Sequence, residues 1–224
     1  MAIIVIIEVI ACMKKGIIFD LDGTLWDSAK IVVKAFNDEI KNYDDVDYTL
    51  TEEVLKSQMG KTAEDISKVF FPNAPRERAI ELMEICNERE CRYLSEYGGK
   101  LYPKLEKTLK ELIKKGINLY IVSNCGEDYI EAFFKAHNLS KYFADTECHG
   151  RTGLSKGENI KLIFERNGLD NAVYAGDTQG DCDAAHFAGL PFVWAEYGFG
   201  KVNDADYTID CIGKILEIAD NILK

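Results

Sequence analysis

The chain has 224 residues, 47% of them hydrophobic and 29% charged. That balance excludes a disordered tail, a collagen, a coiled-coil rod and a polytopic membrane protein. Lys and Arg number 27 against 38 Asp and Glu, a net charge of −11. Nucleic acid and anionic membrane surfaces, which need a basic face, are therefore not expected partners. Any anionic ligand has to be held by local positive groups or a metal.

Residues 1–12 read MAIIVIIEVIAC and are followed by Met13-Lys14-Lys15. The apolar run is short of the ~20 residues of a membrane helix, and its lysines follow it, whereas a secretory signal carries them in front. The expectation is that Met13 is the natural start and 1–12 an upstream extension. The seven cysteines form no C-x-x-C pair, which fits free thiols in a reducing cytosol and a cytoplasmic location.

Lys15–Phe19 (KGIIF) is a short apolar run of the kind that forms a buried parallel strand, and Asp20 ends it. Residues 27–98 hold no convincing strand. Helical patterns occupy 28–41, 51–57, 62–70 and 76–97, with Pro72 and Pro75 as punctuation. This stretch reads as an all-helical domain inserted after the first strand. Further strands are expected at 118–122, 172–175 and 190–194, with a weaker one within 142–148. Helices are expected at 105–115, 127–137, 156–167, 181–188 and 212–223, three of them stopped by Gly116, Gly168 and Gly189. Strands alternating with helices at this spacing imply an α/β protein with a Rossmann-like parallel sheet. The expected division is a core of 13–26 and 99–224, with 27–98 as the inserted domain.

The candidate chemistry lies where these strands end, the ligand crevice of open α/β sheets. Asp20 and Asp22 sit two residues apart directly after the first strand. Asp177 and Asp181 follow the strand at 172–175. Clustered carboxylates repel one another and make sense when a hard divalent cation such as Mg²⁺ joins them. Ser123 ends another strand. Lys156 opens a helix after Gly153-Leu154-Ser155, where its charge adds to the positive helix end.

These residues carry a resemblance. Phe19-Asp20-Leu21-Asp22-Gly23-Thr24-Leu25-Trp26-Asp27-Ser28 resembles the first motif of the haloacid dehalogenase superfamily in its phosphatase branch. Val122-Ser123-Asn124, Lys156, and Gly176-Asp177 through Asp181 resemble the second, third and fourth motifs, in that order. The resemblance implies a helical cap, as in phosphoglycolate-phosphatase-like members, and a Mg²⁺-dependent phosphatase. By that similarity Asp20 is the nucleophile and Asp22 the general acid and base. Asp20, the backbone carbonyl of Asp22, and Asp177 hold Mg²⁺, and Asp181 supports it. Ser123, Lys156 and backbone amides of the Gly23-Thr24 turn and of Asn124 bind the phosphoryl group. Gly60-Lys61-Thr62, between two helices, is the candidate specificity loop, with Lys61 as its contact. The implied partner is a small phosphorylated metabolite, acted on by a monomer or homodimer. A phosphomutase, or a phosphate-ligand-binding domain without catalysis, is the alternative. Asp22 argues against dehalogenation, which needs no leaving-group acid.

Overall fold

A computed structural model describes residues 13–223; the upstream extension expected at 1–12 lies outside them. The chain enters through β1 (Lys15–Phe19) and crosses β2 (Trp26–Asp27). Four helices follow: α1 (Ala29–Ile40), α2 (Glu52–Gln58), α3 (Ala63–Phe70) and α4 (Arg76–Tyr97). The chain returns through β3 (Lys100–Leu101) and continues with α5 (Leu105–Lys114), β4 (Asn118–Ser123), α6 (Tyr129–His137) and β5 (Asp145–Cys148). The rest is α7 (His149–Thr152), α8 (Lys156–Arg166), β6 (Asn171–Gly176), α9 (Gln179–Phe187), β7 (Phe192–Ala195), β8 (Tyr207–Ile209) and α10 (Ile215–Ile222). No helix among the described residues is long and apolar enough to cross a membrane.

The main sheet has six parallel strands in the order β5-β4-β1-β6-β7-β8. Successive side chains of a strand point to opposite faces, and each face here has its own cover. Ile17, Phe19, Leu119, Ile121, Val173 and Ala175 pack with Leu109, Phe133 and Ile215 of α5, α6 and α10. Ile18, Tyr120, Val122 and Tyr174 pack with Ile160, Ile163 and Ala185 of α8 and α9. Two covered faces explain why β1, β4 and β6 are apolar at nearly every position rather than at alternate ones.

The strand order creates the site. From β1 the chain builds outward through β4 and β5, then crosses back to β6 and builds the other way. β1 lies at this reversal, and a crevice opens beyond the strand ends at such a switch point. The ends of β1, β4 and β6 carry Asp20, Ser123 and Asp177.

The expected strand at 190–194 starts later, at Phe192, because Pro191 has no N–H to give the ladder. Its carbonyl instead accepts a bond from the Tyr174 amide at 3.0 Å. The weak strand at 142–148 is the four-residue β5. The edge strand β8 was not legible: it has three residues, two of them exposed, between Asp206 and Asp210. The β2–β3 ribbon was equally hidden, being two residues on each side, Trp26 opposite Leu101 and Asp27 opposite Lys100.

That ribbon carries both crossings between sheet and helical insert, and Trp26 anchors it. The indole is fully buried and meets Tyr129, Phe133 and His137 edge-on at centroid distances of 5.9, 5.0 and 5.7 Å. Gly99 lies close against the ring: a Cβ there would stand 2.7 Å from it. Trp26→Ala empties this contact, and the expected loss is ~3–5 kcal/mol, read as a lowered urea midpoint; Trp26→Phe should lose less. An unchanged midpoint for Trp26→Ala would show that the ribbon is not held by packing.

Candidate active site

Lys156 lies at the centre of the strand ends. It is the first residue of α8, whose capping box pairs the Ser155 hydroxyl with the Glu158 amide and the Glu158 carboxylate with the Ser155 amide. That cap fixes where the helix begins and turns Lys156 inward, where it is 5% exposed. Its Nζ donates to Asp20 Oδ1 at 2.9 Å and to Asp181 Oδ1 at 2.5 Å. Burial opposes the charge of Lys156, but Asp181 and Asp20 outweigh it and raise its pKa. It stays cationic.

Asp181 has no free oxygen. Oδ1 meets Lys156, while Oδ2 accepts from the Thr178 amide at 2.9 Å, the Thr178 hydroxyl at 2.7 Å and the Asp177 amide at 3.2 Å. Burial works to raise its pKa, but Lys156 and the Thr178 bonds outweigh that and hold it below the usual value. Asp181 is thus both the third residue of α9, in a capping box with Thr178, and the second anchor of the lysine.

Asp177 is the opposite case. Oδ2 accepts from the Phe199 amide at 2.7 Å, whereas Oδ1 is buried with no protein partner among the described residues. Burial first, then Asp181 and Asp20, push its pKa well up. Gly23, at φ +78°, approaches so closely that a Cβ would lie 2.2 Å from Asp177 Oδ2, and one at Gly198 would lie 2.3 Å from its Cβ. Backbone without side chains therefore closes around this carboxylate. Oxygens of Asp20, Asp177 and Asp181 fall within 4.8 Å of one another, all buried. Three carboxylates against one lysine leave excess negative charge, and Asp177 offers an unpartnered oxygen. Such a set of hard donors fits a divalent cation. A second grouping, Cys182, His186 and Asp204, is half open to solvent and of mixed donors.

The Asp22 side chain points elsewhere. Its Oδ1 accepts from the Ser28 hydroxyl and, at 2.9 Å, from the Tyr129 hydroxyl, and Asp22 and Asp20 both line one chamber. Burial raises the Asp22 pKa to about 6 against the pull of those two bonds; Asp20, raised by burial against the Lys156 charge, reaches about 7. Two neighbouring carboxyls in a desolvated site cannot both ionise cheaply.

The chamber, about 110 Å³, lies between these strand ends and the helical insert. Ser123, Asn124 and Lys156 line it from below, and Lys61 lines it from the loop at 60–62. Gly23 and Thr24 are not part of its wall: Gly23 packs on Asp177, and the Thr24 carbonyl accepts from the Tyr197 hydroxyl at 2.9 Å. Asn124 holds the insert down, its Nδ2 donating to the Gly60 carbonyl at 2.6 Å. Lys61 turns its ammonium to Gln58 Oε1 at 2.9 Å. Sequence reasoning missed Tyr129, 107 residues from Asp22, and the latch from Asn124. It also passed over Ser28 as a motif residue without a task. Only for Ser28 did a local signal exist.

The haloacid dehalogenase-like hydrolase family pattern matches residues 17–195. Phosphoglycolate phosphatase of Aquifex aeolicus is 30% identical over 214 residues, covering 92% of this chain and 96% of its own. That of Escherichia coli K12 is 28% identical, covering 83% and 82%. A Haemophilus somnus structure described as a predicted phosphoglycolate phosphatase superimposes with TM-score 0.77 at 24% identity, covering 92% and 98%. The chain belongs to the haloacid dehalogenase-like hydrolases and stands among their phosphatases.

Glu90 of α4 faces the same chamber, 9% exposed. Burial, with Asp22 adding to it, lifts its pKa from 4.5 to about 8. The folded state then keeps a proton that the unfolded chain has lost above pH 4.5, so stability falls as pH rises from there to about 8. Glu90→Gln should match the parent near pH 5 and exceed its melting temperature progressively up to pH 8.5. A difference independent of pH would sink this account.

Proposed function

We propose that this protein is a Mg²⁺-dependent phosphomonoester hydrolase, phosphoglycolate-phosphatase-like, that turns over a small phosphorylated metabolite through an aspartyl-phosphate on Asp20. One observation carries the reading: a buried lysine fixes one oxygen of Asp20 while the other has no protein donor among the described residues, at the floor of a chamber between the strand ends and the insert. The curated relatives, named phosphoglycolate phosphatases, support hydrolysis of a small phosphomonoester as the reaction.

Asp20 Oδ2 attacks phosphorus, forming an O–P bond as the ester P–O bond breaks. Asp22 Oδ2 gives its proton to the departing oxygen. Water then attacks the aspartyl-phosphate, Asp22 takes the water proton, and phosphate leaves with Asp20 restored. A pKa near 6 suits a group that must both give and accept a proton near neutrality. The bonds from Ser28 and Tyr129 fix its orientation. Lys156 offsets charge on Asp20 and the phosphoryl oxygens, and Ser123 lies within reach to bind them. Asp20 and Asp177 would hold the Mg²⁺, together with the Asp22 carbonyl. Asp181 would act by keeping Lys156 and the start of α9 in place. When bound, the ion supplies Lewis-acid charge at the phosphoryl oxygens. The helical insert acts as a cap that excludes water during attack, with Asn124 to Gly60 as its latch.

Phosphate release from short phosphate esters should require Mg²⁺ and stop with EDTA. Asp20→Asn should lower kcat by ~10³-fold or more, and Asp22→Asn by ~10²–10⁴-fold. Turnover by Asp20→Asn at the parent rate would refute the nucleophile.

A further inference from the structure

Asn87 and Glu90 lie one turn apart on α4 and both line the chamber. Neither side chain has a hydrogen-bond or ion-pair partner among the described residues. A buried carboxyl left this way lowers stability, and the phosphoryl chemistry has no task for it. The insert adds apolar wall to the chamber through Val32, Phe36, Phe70 and Met83, while Asp22 and Tyr129 face it from the core.

We propose, resting on the phosphomonoesterase reading, that Glu90 and Asn87 are specificity-determining residues that select a short phosphomonoester whose leaving group carries hydroxyls. The size of the chamber sets the length. One water needs roughly 10–15 Å³ on this measure, so about 110 Å³ holds a phosphoryl group and a leaving group of a few heavy atoms. The chemistry of the wall sets the class. A carboxyl and a carboxamide one turn apart offer donors and acceptors that two hydroxyls satisfy together. A carboxylate on the leaving group only accepts, so the acceptor oxygens of Asn87 and Glu90 would go unmet, and its charge would add to that of Asp22 on the same wall. Of the two lysines of the wall, Lys156 is neutralised by Asp20 and Asp181, while Lys61 bonds the uncharged Gln58 amide at the open side of the chamber. An ammonium group only donates, so the amide protons of Asn87 would go unmet, and it would share the chamber with the Lys61 and Lys156 ammonium groups.

The test compares kcat/KM with Mg²⁺ for glycerol 3-phosphate, propyl phosphate, phosphoglycolate and phosphoethanolamine. Propyl phosphate is close in size to the glycerol ester but lacks its hydroxyls. A site built to bond hydroxyls rejects such an analogue strongly, so the glycerol ester should exceed the propyl ester by at least ~10-fold and also exceed the two charged esters. Glu90→Leu and Asn87→Leu should each cut the glycerol-to-propyl ratio by ~10-fold or more, while Glu90→Gln, which still donates and accepts, keeps most of it. Because the readout is a ratio within one variant, partial loss of folded protein does not move it. Preference for phosphoglycolate or phosphoethanolamine overturns the proposal, as does a ratio unchanged by Glu90→Leu. In both cases the hydrolase reading survives. Silence from all four esters removes both.

Discussion

One buried ammonium holds this site together. Lys156 stands between Asp20 and Asp181, each within hydrogen-bond reach, and all three side chains are buried. Burying two carboxylates on strand ends is costly when they face each other, and the lysine offsets part of that cost only because its geometry is close. Asp177 lies within the same group and has no cation of its own. Ionised, the cluster carries negative charge in excess of what the chain neutralises, which is what suits it to a divalent ion.

The rest of the architecture keeps the lysine where it is. The sheet supplies Asp20 from β1 and Asp177 from just beyond the neighbouring β6, and the Asp20 amide bonds the Ala175 carbonyl at 2.8 Å. The capping boxes of α8 and α9 set the first turns of two helices that pack on one another. Asp181 serves a helix start and a charge pair at once. This doubling explains how so many polar groups are buried with so few left without partners.

The helical insert works by a different physics. It contributes apolar surface above the strand ends and two polar side chains, Asn87 and Glu90, whose own chain gives them nothing to bind. Its hold on the core comes from α4 packed on α6, from the packed indole in the β2–β3 ribbon, and at the loop edge from the bond between Asn124 and Gly60. A single hydrogen bond of this kind contributes on the order of 1 kcal/mol, small enough to break and reform as substrate passes. In the proposed chemistry the insert therefore closes the chamber and reads the leaving group, while the core performs the transfer.

The parallel sheet, the strand-free stretch and the carboxylates at strand ends were all visible in the sequence. Apolar runs, helix periodicity and glycine stops are local patterns, and they act over a few residues. The elements built on two or three residues were invisible for the same reason: β8 and the β2–β3 ribbon are too short to show a period. What the sequence by itself determined is which residues can form strands and which charged groups stand at their ends. The tertiary structure alone decided which carboxylate oxygens remain free, since that depends on where Lys156, Thr178 and the Phe199 amide arrive. It also brought Tyr129 to Asp22 across 107 residues and set Glu90 over the same chamber. Such meetings are fixed by sheet register and helix packing, which no stretch of chain specifies alone.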